Sequence, residues 1–176
     1  MQSLSLMAIS KLKRWFLDRS PLSSTSDSID KLSLPFKTHL IISPIESVHD
    51  IQSVDRFISV KAEQNISIDC LFFSTDKSLV HENLIDIKMV KWTGEPKCQL
   101  SQDVLNKNYD LVYLPSFNFP ITIEYIMKNI KARMKAGYYS KSTERYLDLM
   151  LETNFVSLGD VLTEIDVLIH NLKNYE

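Results

Sequence analysis

Glycine is nearly missing from this chain: Gly94, Gly137 and Gly159 are the three in 176 residues, against a usual share of about 7%. They are too far apart to build G-x-G-x-x-G or G-x-x-x-x-G-K-[ST], which excludes both glycine-rich phosphate cradles. The G-x-S-x-G nucleophile elbow falls with them. Cysteine is scarce too. Cys70 and Cys98 form no C-x-x-C, which speaks against a disulfide framework or a cysteine-based zinc site and fits a reducing compartment. No apolar run approaches the roughly 18 residues of a membrane span; the longest uncharged one, Leu111 to Ile123, is broken by Pro115 and Pro120. The first residues lack the apolar core of a signal peptide. Nor is there surplus positive charge, since 20 Lys and Arg meet 22 Asp and Glu for a formal net charge of −2. That balance argues against nucleic acid as the partner of the domain as a whole. What remains is one cytoplasmic globular domain, long enough and, at 44% apolar residues, hydrophobic enough to bury a sizeable core.

The charge is unevenly placed. Residues 1–20 carry Lys11, Lys13, Arg14 and Arg19 against Asp18 alone, and Ile9, Leu12, Trp15 and Phe16 fall on one helical stripe beside them. This reads as a basic amphipathic arm. Residues 21–36 open with Pro21 and a run of serines that has no apolar period, and read as a linker. Residues 37–176 then alternate short β-rich runs with longer helical patterns, the mark of βα units around a parallel sheet.

The expected strands are Thr38 to Ser43, Ile66 to Phe73, Ile85 to Met89, Asp110 to Leu114, Met134 to Gly137 and Leu147 to Leu151. Helices are expected over Val48, Ile51, Val54 and Ile58, capped by Ser47; through Val104; from Pro120 through Ile123, Ile126, Met127 and Ile130; and from Ser157 with Val161, Ile165, Leu168 and Leu172 inward. Ser74 to Leu84 reads as helix or loop. The fold class is therefore a three-layer, Rossmann-like α/β domain with a mostly parallel sheet of five or six strands.

Motifs that would carry chemistry are incomplete. His81-Glu82 begins H-E-x-x-H, but Ile85 stands where the second histidine must be. His39, His49 and His170 are isolated in sequence. Cys98 sits beside Lys97 with no base partner, and Cys70 lies inside an apolar run, where core is expected. Asp110 reads as opening its strand and Asp148 as lying within one, so no acid–base pair is assembled. No catalytic residue, metal ligand or cofactor is assigned.

In an open parallel sheet ligands bind outside the carboxyl ends of the strands. Trp92, Gly94, Lys97, Ser116, Asn118, Tyr138 and Tyr139 all follow expected strands, and together they would make a polar, aromatic-lined cleft. The same aromatic side chains would equally serve to close the end of the core. Arg145 and Lys141 would add anion affinity there.

Several runs follow one another as in a known family: the turn Lys91-Trp92-Thr93-Gly94-Glu95-Pro96-Lys97, then Tyr109 to Leu114, Lys131 to Tyr138, and Tyr146-Leu147-Asp148-Leu149-Met150. The chain thereby resembles a family of short, uncharacterised Bacteroidetes proteins. The resemblance implies a cytoplasmic bacterial protein with a Rossmann-like sheet and supplies no activity. A weaker likeness, over Asp110-Leu111-Val112 and Ala132 to Gly137, is to the amino-terminal half of heptosyltransferase-type glycosyltransferases.

The functional expectation is a non-enzymatic intracellular binding or adaptor module. It docks through Lys11, Leu12, Lys13, Arg14, Trp15 and Phe16 to a protein partner, or peripherally to the inner membrane surface. The alternative is a small ligand-binding or degenerate glycosyltransferase-like domain using the strand-end cleft.

Overall fold

A computed structural model describes residues 35–86, 91, 93–116, 120–152 and 157–173. The basic arm and residues 21–34 of the linker lie outside the described residues. The elements in chain order are β1 (Thr38–Pro44), α1 (Val48–Glu63), β2 (Ser67–Ser74), β3 (Leu84–Asp86), α2 (Gln99–Asn106), β4 (Asn108–Leu114), α3 (Ile121–Asn129) and β5 (Lys131–Tyr138). A 3₁₀ turn (Glu144–Tyr146), β6 (Leu149–Leu151) and α4 (Leu158–Lys173) complete them. The six strands form one sheet in the order β3-β2-β1-β4-β5-β6, and every pairing is parallel. This is a Rossmann-type order, with its switch point between β1 and β4.

Parallel strands need a crossover between them, so both faces of the sheet are covered and central strands are apolar on both sides. Leu40, Ile41 and Ile42 in β1 are fully buried, as are Leu71 to Phe73 in β2 and Val112 to Leu114 in β4. Alternate residues divide between two cores. Ile41, Phe72, Leu111 and Tyr113 pack with α1 and α4; Leu40, Ile42, Leu71, Phe73, Val112 and Leu114 pack with α2 and α3. That is the three-layer arrangement expected. Among the described residues no helix is long and apolar enough to cross a membrane.

Local chemistry accounts for the helix starts. Ser47 caps α1 in a reciprocal box with Asp50. At the start of α4 the Ser157 hydroxyl donates to the Asp160 carboxylate at 2.8 Å and accepts the Asp160 amide at 3.2 Å.

Several expectations need correction. Phe36, assigned to the linker, is buried in the core because it packs into the cluster beneath α1 and α4, with Arg133 over its ring, 4.8 Å from the centroid. Val48 and Leu172, expected inward, are exposed. The α1 core face keeps Ile51 and Val54 and adds Phe57, and α4 keeps Val161 and Ile165 and adds Leu162 and Ile169; Val48 and Leu172 stand at the helix ends. β3 is three residues long, with residues 87–90 outside the described set. Residues 75–83 form a turn-rich loop without helix; Asp76 accepts the Ser78 amide and hydroxyl, both at 2.8 Å, a local bond that competes with helix. Asp110 lies within β4, as the strand expected from Asp110 has it, whereas Asp148, expected within a strand, falls just before β6.

Val112 is fully buried in β4. Val112→Asp would place an unpaired carboxylate in the core and is expected to cost several kcal/mol. Chemical denaturation checks this, and an unchanged midpoint would refute the account of β4.

Candidate functional site

At the carboxyl edge, the position that carries ligands in this strand order is taken by the chain itself. The Asp50 carboxylate accepts the amides of Glu46 at 3.1 Å and Ser47 at 2.9 Å, and the Ser47 hydroxyl at 3.0 Å. A dinucleotide pyrophosphate would sit at this helix start, where an internal carboxylate now stands. Beneath it Ser43 and Ile45 are buried, and the Ile45 amide donates to the Phe73 carbonyl.

Of the seven expected cleft residues, Trp92 and Asn118 lie outside the described residues. Gly94 has φ +90°, the positive backbone angle that a turn here needs, and a Cβ there would stand 3.0 Å from the Ile121 carbonyl oxygen. The turn therefore rests on the start of α3. Ser116 is buried at the end of β4, Tyr138 half-buried, Tyr139 exposed, and Lys97 exposed ahead of α2. Apart from Lys97 these residues share the carboxyl edge. β4 and β5 approach so closely that a Cβ on Gly137 would lie 2.4 Å from the Leu114 carbonyl oxygen.

Sequence reasoning missed the buried Glu124 in the first turn of α3. It accepts the Tyr146 hydroxyl at 2.9 Å and pairs with Arg145, whose guanidinium lies over the Tyr146 ring. Arg145, expected to attract anions, thus has an internal partner. The two other carboxylates considered are also internal ties. Asp148 accepts the Lys135 amide at 2.8 Å. Asp110 accepts the amides of Lys37 and Thr38 at 2.9 Å and the Arg133 guanidinium at 3.0 Å. Burial acts to raise its pKa, and those hydrogen bonds outweigh it and hold the carboxyl at about 2. Cys98 Sγ is 2.8 Å from the Ser101 hydroxyl, and burial, with the charges of Asp55 and Asp69, pushes the Cys70 thiol up to about 12.

The opposite, amino edge holds the second constellation. His39, isolated in sequence, is buried in β1 beside Tyr113 of β4, whose hydroxyl is 3.4 Å from its Nδ1. The same hydroxyl donates to Asp166 of α4 over 3.4 Å, and Asp166 pairs at 2.5 Å with Lys61, buried at the end of α1. Four elements are tied through one polar chain. With the phenol proton directed at Asp166, its oxygen accepts from His39 Nδ1–H, which leaves Nε2 an acceptor; it is buried without a hydrogen-bond partner. Burial first, and the Lys61 charge second, lower the imidazole pKa to about 4, against the opposing effects of Asp166, the Phe36 carbonyl and Asp110. Burial and Asp166 raise the Tyr113 hydroxyl well above its ordinary value. The only sequence signal for this cluster was a histidine inside a strand buried on both faces.

A cleft of about 320 Å³ opens over this cluster, lined by Phe36, His39, Lys61, Gln64, Ile66, Leu111, Asp166, Ile169 and His170. A groove of about 370 Å³ between α1 and α4 shares Lys61, Gln64 and Asp166 with it. Among the described residues no group of three His, Cys, Asp or Glu side chains is placed to hold a metal ion.

A family model described as "Family of unknown function (DUF6913)" matches residues 10–175, taking in most of the arm together with the domain. No curated protein and no solved structure matches the chain.

Two predictions follow from this geometry. Gly94→Val must adopt a positive φ against the Ile121 carbonyl, and is expected to lower stability by about 1 kcal/mol or more, read from the urea midpoint. For His39, the unfolded imidazole takes its proton near 6.5 and the folded one near 4. Its contribution is present above pH 6.5 and is lost as pH falls toward 4, by about 3 kcal/mol in all. His39→Leu should remove this dependence, so denaturation at pH 7 and pH 4.5 is expected to show a steeper loss in the wild type; parallel losses would refute the assignment.

Proposed function

We propose, from the premise that the chain belongs to this family of unknown function, that it is an intracellular, non-enzymatic binding module. Its basic amphipathic arm is the docking element, and its α/β domain is the anchor. The observation that carries this reading is where the chain leaves room. The first helix start at the switch point is occupied by Asp50, whereas the cleft opens at the amino edge, where Phe36 lines it, and the groove runs on from it along α1 and α4. The family match across arm and domain supports treating them as one working unit. The stripe Ile9, Leu12, Trp15 and Phe16 suits an apolar partner groove, and the flanking Lys11, Lys13 and Arg14 suit acidic residues on its rim.

A second reading, a small-ligand site at the carboxyl edge, is favoured by Thr122. Its hydroxyl is buried without a hydrogen-bond partner, two residues from the Glu124 carboxylate. Its ligand would be a small polar molecule.

The test is capture from native cells by the full chain and by a Leu12→Glu/Trp15→Glu variant, with circular dichroism confirming that the domain is unchanged. The wild type is expected to retain a protein that the variant loses. Equal capture by both would overturn the arm's role. Binding only to anionic phosphatidylglycerol vesicles, fading with salt, would assign the arm to a lipid surface instead.

A further inference from the structure

The groove between α1 and α4 runs on from the cleft at the amino edge, the two sharing Lys61, Gln64 and Asp166. On its wall Val60 is 50% exposed near the carboxyl end of α1, beside the buried Phe57. An open groove of this kind offers a seat to the apolar face of a helix. We propose that its occupant is the chain's own amino-terminal arm, residues 9–16. The arm would be sheathed in the groove until a partner draws it out. The inference rests on the docking role proposed for that arm and adds its regulation.

Three observations select this occupant. The first is where the chain enters the domain. Phe36 forms part of the cleft wall, and the Lys37 and Thr38 amides are held by Asp110, so the chain enters the domain beside the cleft that the groove adjoins. The second is reach. Nineteen residues, 17–35, separate the stripe from Phe36 and span up to about 60 Å when extended, whereas a helix of the length of α1 is only about 24 Å long. At such a tether length the effective concentration of the arm at the groove is of millimolar order. The third is charge. The groove lining itself is balanced, Arg56 and Lys61 against Asp160 and Asp166, and the excess of acid, Asp50, Asp55, Glu63 and Glu164 against Lys173, lies elsewhere on the same two helices. Lys61 is already neutralised by Asp166. The arm brings three net positive charges to these acidic helices, and its Ile9, Leu12, Trp15 and Phe16 stripe would cover Val60. A helix this short is marginal alone in water and gains its stability from such a surface.

Hydrogen exchange on the full chain tests the proposal. Amides of residues 9–16 are expected to exchange about tenfold or more slowly than in a Val60→Glu variant, which places a charge on the groove without disturbing a buried side chain. Val48→Glu, on the same helix but outside the groove, is expected to leave that protection intact. The protection should also survive dilution, because the contact is within one chain. Unprotected residues 9–16 in the wild type would overturn the proposal, as would protection indifferent to Val60→Glu. Protection that fades on dilution would overturn it in favour of a second copy in the groove. If protection is seen while no partner is captured, the adaptor reading fails alone and the groove assignment stands.

Discussion

An all-parallel sheet must be covered on both faces, and the rest of this structure is organised around that constraint. β1 and β4 lie at its centre, flanked by strands on both sides. Their side chains alternate between two cores without a solvent-facing position along Leu40 to Ile42 and Leu111 to Leu114. Each buried Leu, Ile or Phe contributes about 1.5–3 kcal/mol through apolar area removed from water, so neither helix layer is dispensable. The crossovers that supply those layers also determine where the helix ends fall. The carboxyl ends of α1 and α4 are delivered to the amino edge of the sheet, where Lys61, Asp166, His39 and Tyr113 meet.

Polar groups in this core tie its elements together. Asp110 joins the beginning of β1 to β4 and, through Arg133, to β5; the guanidinium in turn holds Phe36. The chain is thereby anchored at one point as it enters the domain. Glu124, Arg145 and Tyr146 do comparable work at the carboxyl edge, joining α3 to the segment after β5.

Much of the fold was legible in the sequence. The continuous apolar run Leu40-Ile41-Ile42 announces a strand buried on both faces, and S-x-x-D at Ser47 and Ser157 announces helix starts, because these signals depend on neighbours a few positions away. Gly94 is legible for the same reason: its positive φ is a local demand of the turn. The candidate site was less so. Gly94, Ser116, Tyr138 and Tyr139 do share the carboxyl edge, as topology requires, yet the occupation of the α1 start by Asp50 closes the position that topology would assign to a phosphate. His39 looked isolated because its partners Tyr113 and Asp166 stand 74 and 127 positions downstream.

By itself, then, the sequence determined the class of fold, the alternation of strand and helix, the helix caps and the separation of a basic arm from an acidic domain. Hydrophobic period, capping chemistry and local charge are properties of short stretches, and they survive in any tertiary context. Only the tertiary structure decided strand order, which side of each helix is buried, where open space lies and which ionisable groups meet. Those outcomes follow from contacts between residues far apart in the chain. Burial then sets their chemistry: the histidine imidazole is driven toward its neutral form and the carboxyl at Asp110 toward its charged one by neighbours that no local pattern announces.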